Sequence, residues 1–244
     1  MVDQLADFTV ANWQRRDHGI WELDEERHYV SSKAMGWVVL ERACRIRKHL
    51  HDVAPAHWIA ARDAIHADVM QRGWSEPLQS FRQHYDSDHL DASALLLSLM
   101  DFLPGEHPRI VATIASVQRD LQRDGFVWRF HPASLGHGDI PLDGLEAAFV
   151  PCTFWLASAL ARAGRADEAR ALIERVERSF GQCGLFSEEF DPRSGQALGN
   201  YPLLFSHAEH LRAVMDLAKA SPLGMAGMLA GKAAGAIARA VQGE

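Results

Sequence analysis

The chain has 244 residues, 48% of them hydrophobic and 23% charged, with a formal net charge of -7. Its length suffices to bury a sizeable core, and the acidic balance speaks against an extended phosphate-binding face, so nucleic acid is not an expected partner. Three widely spaced cysteines (Cys44, Cys152, Cys183) without a C-x-x-C pair give neither a disulfide framework nor a zinc site, and fit a reducing compartment.

In chain order, residues 3 to 15 place Leu5, Phe8, Val10 and Trp13 along a short amphipathic helix. The opening Met1-Val2-Asp3-Gln4 has neither basic nor apolar leader character, and no run approaches the roughly 18 apolar residues that span a bilayer. A cytoplasmic protein without membrane contact is expected. Ser31-Ser32 predicts the cap of a long helix to Leu50, with Met35, Trp37, Val38, Leu40, Ala43 and Ile46 inward. Pro55 and Gly73 bracket the next helix. Ser80 to Tyr85 alternates like a short strand or an extended loop, and Asp88 or Asp91 is placed to cap a brief apolar helix, Ala92 to Phe102.

A further helix is predicted from Pro108 to Arg123. Asp124 to Leu145, with four glycines and two prolines, is the longest irregular stretch, and loops of that length are often functional. A helical hairpin follows, Ala147 to Ala163 and Ala166 to Phe180, turning at Gly164-Arg165. The loop from Gly184 to Asn200 then leads to a helix from Pro202 to Ala218. Residues 220–244, rich in alanine and glycine, read as a weak tail beyond a domain of residues 1–219. No sheet pattern appears. About eight helices, with long loops alternating with short connections, predict an all-α array of hairpins whose one rim carries function.

Two loops on that rim present a carboxylate beside an aromatic ring: Asp17-His18-Gly19-Ile20-Trp21-Glu22 and Phe186-Ser187-Glu188-Glu189-Phe190-Asp191. Glycosidic hydrolysis uses two carboxyl groups, one to protonate the leaving oxygen and one to activate water. Spacing alone gives only that hint, because loop glutamates are usually just solvated.

Longer blocks say more. His18 to Glu22, followed by Arg27-His28-Tyr29-Val30-Ser31-Ser32-Lys33-Ala34-Met35-Gly36-Trp37, resembles the general-acid region of glycoside hydrolase family 15. Ser187 to Pro192, with Gly195, Gln196, Leu198-Gly199-Asn200-Tyr201-Pro202 and Phe205-Ser206-His207, resembles its general-base region. Tyr85 to Ser93 and Glu146 to Trp155 are similar to family blocks in the same order, closest to the bacterial glucoamylase and trehalase-like branch. The resemblance implies an incomplete (α/α)6 toroid of about eight of twelve helices, and inverting hydrolysis of α-linked glucosides such as trehalose or maltooligosaccharide ends. By motif position it implies Glu22 as general acid and Glu188 as general base, with Trp21, Arg129, Glu146 and Phe149 binding substrate. It also implies that the family's N-terminal β-sandwich and first helices have no counterpart here. A complementing N-terminal half or a homo-oligomer is therefore an expected partner, covering apolar faces on the flanking helices. No cofactor site is indicated, and the thirteen histidines form no metal-ligand cluster.

The chemistry of an acid and a base sets further expectations. Glu22 should be desolvated by Trp21, and Glu188 should sit in a wetter loop with polar neighbours. An inverting enzyme holds its two carboxyls about 6.5–9.5 Å apart. Glu189 and Glu25 are expected at the rim or surface, and Trp37, Trp58 and Trp155 in the core. Trp21 and Trp74 are expected at a sugar face, and His28 and Lys33 either orient the acid loop or cap and solvate locally. The alternative from another class is a helical-repeat scaffold without catalysis, because Leu160 to Leu172 resembles a tetratricopeptide-like turn. No period of roughly 34 residues continues on either side of it.

Overall fold

Val150 to Ala161 carries no charged side chain, and every one of its residues is buried. A helix apolar all round belongs in the middle of a fold, and this one is the centre of one half of the molecule. The computed structural model describes residues 1–136, 140–144, 146–181 and 183–220. Among the described residues there are eight α-helices: α1 (Val2–Asn12), α2 (Val30–His49), α3 (Ala56–Arg72), α4 (Leu96–Leu99), α5 (Pro108–Asp120), α6 (Val150–Arg162), α7 (Ala166–Ser179) and α8 (Leu204–Ala220). The tail expected after Ala220 lies outside the described residues.

Helix α6 packs against α7, α8, α4 and a 3-10 turn, Ala92–Leu95. Helix α7 buries Ala169, Leu172, Ile173 and Val176, the stripe that a period of 3.6 residues creates. On the other side α2 and α3 form a second hairpin with α1 laid against both, and contacts from α2 to α4 and to the 3-10 turn join the halves. The outer faces of α1 and α8 leave large apolar side chains uncovered. Leu5 and Phe8 of α1 are 55% and 66% exposed, and Leu204 and Leu211 of α8 are 82% and 60% exposed.

Several boundaries differ from the sequence reading, each for a local reason. Helix α2 begins at Val30 with no side-chain cap; Ser31 and Ser32 lie inside its first turn, and Ser32 Oγ donates instead to Asp17 Oδ1 at 2.6 Å. The stretch from Ala92 divides into the 3-10 turn and α4, with Asp91 capping the turn by accepting from Ser93 N. Helix α5 stops at Asp120, because the chain turns back through Asp124 and Gly125, both at positive φ, into a hairpin of β3 (Gln122–Arg123) and β4 (Phe126–Val127).

Although the sequence shows no sheet pattern, the described residues include three small antiparallel sheets. Strand β1 (Trp74–Ser75) pairs with β2 (Ser80–Phe81), β3 pairs with β4, and β5 (Ala148–Phe149), β6 (Glu189–Asp191) and β7 (Gln196–Leu198) form a three-stranded sheet in that order. Strands of two or three residues are too short to show a period of two in sequence.

Candidate active site

The acid loop is pinned at its base. Asp17 and Arg27 exchange backbone hydrogen bonds of 3.0 and 2.9 Å, closing the loop like a one-rung ladder. Asp17 Oδ1 also accepts from Gly19 N at 2.8 Å, and Gly19 holds φ +70° with the Tyr29 ring packed where a Cβ would stand. Lys33, only 4% exposed, donates through Nζ to the Arg15 carbonyl and lies 3.5 Å from Asp17 Oδ2. Burial pushes its amine below the usual lysine range, and Asp17 works against that push. Of the two roles open to Lys33, the structure shows the loop anchor. His28 instead stacks on Tyr85 at 5.9 Å.

At the tip the two key side chains part. Trp21 turns inward, with ring centroids 5.7 Å from Phe149, 5.9 Å from Trp155 and 6.3 Å from Phe130. Glu22, at φ +51°, turns outward and is exposed, lining a cleft of about 730 Å³ with Tyr29, Gln83, His84 and Ser134. The desolvation expected of Glu22 is therefore not found among the described residues: the positive-φ corner sends the carboxylate away from the ring beside it. Glu188 is not among the residues lining that cleft.

Glu188 sits just ahead of β6. Its carbonyl accepts from Val150 N and its amide donates to the Asn200 carbonyl, both at 2.9 Å. Oε2 accepts from Asn200 N at 3.0 Å and from Asn200 Nδ2 at 2.8 Å, so one oxygen is held by two donors. The polar neighbours expected of this residue are present. Beneath it, Ser206 Oγ on α8 donates to the Ser187 carbonyl at 2.7 Å.

What links the two loops is the sheet and the aromatic nest. Phe149 pairs with Glu189 across β5 and β6, while its ring meets Trp21. Arg129 is placed by the backbone bond from Ala92 N to its carbonyl, at 2.8 Å. Its guanidinium forks onto Glu146, with Nε 3.0 Å from Oε2, and lies 5.4 to 5.6 Å from the Trp21, Phe130 and Phe149 ring centroids. Glu189, beside this pair, has its carboxyl pushed up by burial and by the Glu146 carboxylate, with Arg129 opposing. Trp21, Arg129, Glu146 and Phe149 thus gather in one place, with Glu22 and Glu188 on the chain immediately next to Trp21 and β6.

The sequence model described as "Glycosyl hydrolases family 15" matches residues 1–215. The chain belongs to that family. It is 37% identical over 222 residues to a trehalase of Mycobacterium tuberculosis, covering 90% of this chain and 32% of that protein. It is 32% identical over 221 residues to a trehalase of Thermoplasma volcanium, covering 90% and 35%. The chain thus spans about a third of the length of the curated relatives it matches. A glycosidase solved in complex with glucose superposes with TM-score 0.70 at 22% identity, over 87% of this chain and 58% of that one. The family 15 glucoamylase of Hypocrea jecorina superposes with TM-score 0.67 at 13% identity, over 90% and 46%. These likenesses carry the fold: the family 15 chain described here is part of an (α/α)6 toroid built of helical hairpins.

Against the sequence expectations, Trp58 and Trp155 are buried as core residues, although Trp155 also walls the nest. Trp74 stands elsewhere, its ring 5.4 Å from Phe81 and 5.0 Å from the Arg109 guanidinium. In the sequence Asp91 stands as a candidate helix cap within the family-like block Tyr85 to Ser93, with no sign of a partner at Trp21. It is 2% exposed, and its Oδ2 accepts from Trp21 Nε1 at 2.8 Å and Gln83 Nε2 at 3.2 Å. Burial pushes its carboxyl above the usual carboxylate range, and these donors act against the shift. A contact across 70 residues leaves no mark in local sequence. Among the described residues no group of three His, Cys, Asp or Glu is arranged to hold a metal ion, and no helix is long and apolar enough to cross a membrane.

Proposed function

We propose that this family 15 chain carries the two carboxylates of an inverting α-glucoside hydrolase, with trehalose as the substrate to test first. Glu22 would protonate the glycosidic oxygen, and Glu188 would take a proton from the attacking water. Arg129, oriented by Glu146, would donate to sugar hydroxyls, and Trp21 and Phe149 would offer apolar faces to the ring. The observation that carries the reading is the gathering of Trp21, Phe149, Arg129 and Glu146 between the segments bearing Glu22 and Glu188. The likeness to trehalases at 37% and 32% identity favours trehalose over maltooligosaccharide ends.

Anomer-resolved proton NMR of the products tests the mechanism as well as the substrate. Inversion at one centre of α,α-trehalose releases one β-glucose and one α-glucose before mutarotation, whereas retention releases only α. Glu22→Gln and Glu188→Gln should each abolish release. A second reading, a non-catalytic scaffold needing a partner chain, draws support from the exposure of Glu22 and from the uncovered apolar faces of α1 and α8. It prevails if the unmutated chain releases no glucose from trehalose or maltose.

A further inference from the structure

Asp91 does two unrelated things with its two oxygens. Oδ1 accepts from Ser93 N at 2.6 Å and so caps the 3-10 turn that leads into α4. One oxygen suffices for a cap, and Ser, Thr or Asn commonly supplies it. Oδ2 instead reaches across the fold to the Trp21 indole N–H at 2.8 Å, with the Gln83 amide at 3.2 Å as its other donor. Gln83 is 2% exposed and in turn borders the cleft that Glu22 lines. The Asp91 backbone bridges to Phe130, and the next amide, Ala92 N, donates to the Arg129 carbonyl. One buried residue thus ties the acid loop to the segment bearing Arg129. Burying a carboxylate is costly unless donors surround it, and a cap alone would not require a charged group.

We propose that Asp91 is a positioning residue: by holding the Trp21 indole among Phe149, Trp155 and Phe130, it determines where the adjoining Glu22 is presented. The inference rests on the reading of Glu22 as the acid. A charge-assisted bond to an indole whose ring is already packed on three sides leaves the side chain one orientation. The backbone then carries that orientation one residue further, to the φ +51° corner at Glu22.

The test uses Asp91→Ser, which keeps a capping oxygen but cannot reach the indole, and Trp21→Phe, which removes the same bond from the other side and leaves the cap untouched. Proton–nitrogen correlation spectra resolve the indole N–H signals of the seven tryptophans, and Trp21→Phe assigns the one that matters. In Asp91→Ser the Trp21 signal should move upfield and its exchange with solvent should quicken, while the Trp58 and Trp74 signals stay in place. Glucose release should show kcat reduced about 10–100-fold per folded molecule, with KM changed less than about threefold, as for a displaced catalytic group. Trp21→Phe should show a comparable fall in kcat.

An unmoved Trp21 signal in Asp91→Ser overturns the proposal. So does a lowered Tm with kcat per folded molecule unchanged, which would make Asp91 merely structural. If Asp91→Ser does not fold, Trp21→Phe decides alone: an unchanged kcat overturns the proposal, and a selective fall in kcat supports it. If the unmutated chain releases no glucose, the functional reading fails, and the indole signal still tests the Asp91–Trp21 hold separately.

Discussion

Glu188 leaves Gly199 no room for a side chain. A Cβ on Gly199 would stand 2.8 Å from Glu188 Oε2 and 2.9 Å from its Cβ, and the backbone there holds φ +69°. The same turn delivers Asn200, whose two N–H groups grip Oε2. The residue after β7 therefore shapes the place where the proposed base sits.

Gly199→Ala should both strain the turn and displace the carboxylate. A left-handed backbone at a non-glycine residue costs about 1–2 kcal/mol, and the contact with Glu188 adds to it. A loss of about 2 kcal/mol corresponds to a Tm lower by roughly 4–8 °C for a chain of this size. Glucose release should fall by more than the folded fraction does. Differential scanning calorimetry beside a glucose assay checks both, and a Tm within a degree of the parent would contradict the geometry.

Lys33→Met tests the base of the acid loop. The substitution keeps an apolar stem of similar length but removes the donor to the Arg15 carbonyl and the charge beside Asp17. Removing one partner of a fully buried ion pair costs about 3–5 kcal/mol. The Asp17 side chain is 35% exposed, so water reclaims part of that, and a loss of about 2 kcal/mol is expected. Hydrogen exchange should quicken at Asp17 N and Arg27 N, the two amides that close the loop. Unchanged protection there would show that Lys33 is a passenger.

How much of this was readable beforehand depends on distance along the chain. Helices with a strong stripe, such as α7, and those bracketed by Pro55 and Gly73, were legible because period and caps act within a few residues. The family resemblance implied Trp21, Arg129, Glu146 and Phe149 as substrate-binding residues, and folding gathers the other three around the Arg129 guanidinium. Sequence could not show that Glu22 faces outward while Trp21 faces in, because that depends on a single positive φ. Nor could it show Asp91 beneath the indole or Gly199 against Glu188. Both contacts are made only when distant segments meet.

Arg129→Lys tests whether the fork matters or only the charge. Arg129 gives Nε and Nη2 to Glu146 and lies near three aromatic rings. A lysine keeps the charge but has neither a planar fork nor a flat face to stack. If Arg129 binds substrate, KM for trehalose should rise about 10-fold or more, because one charge-assisted bond contributes about 1.5–3 kcal/mol. A glucose assay over a wide substrate range separates this from a kcat effect. An unchanged KM would remove Arg129 from the sugar site.

His66 supplies a pH prediction independent of catalysis. Its ring stacks on Phe102 at 4.7 Å, and burial pushes the imidazole below 6.5, with Arg62 and His107 adding to the push and Asp63 opposing it. The unfolded chain therefore binds this proton more readily than the folded one does. The stability it contributes is fully present above 6.5 and is lost as pH falls through the lower folded value. His66→Phe keeps an aromatic ring against Phe102 and removes the titration. Between about pH 7.5 and pH 5 the Tm of the parent should therefore fall further than that of the variant, every other group being common to both. Parallel Tm curves would mean that the imidazole takes up its proton as easily in the fold as in the unfolded chain.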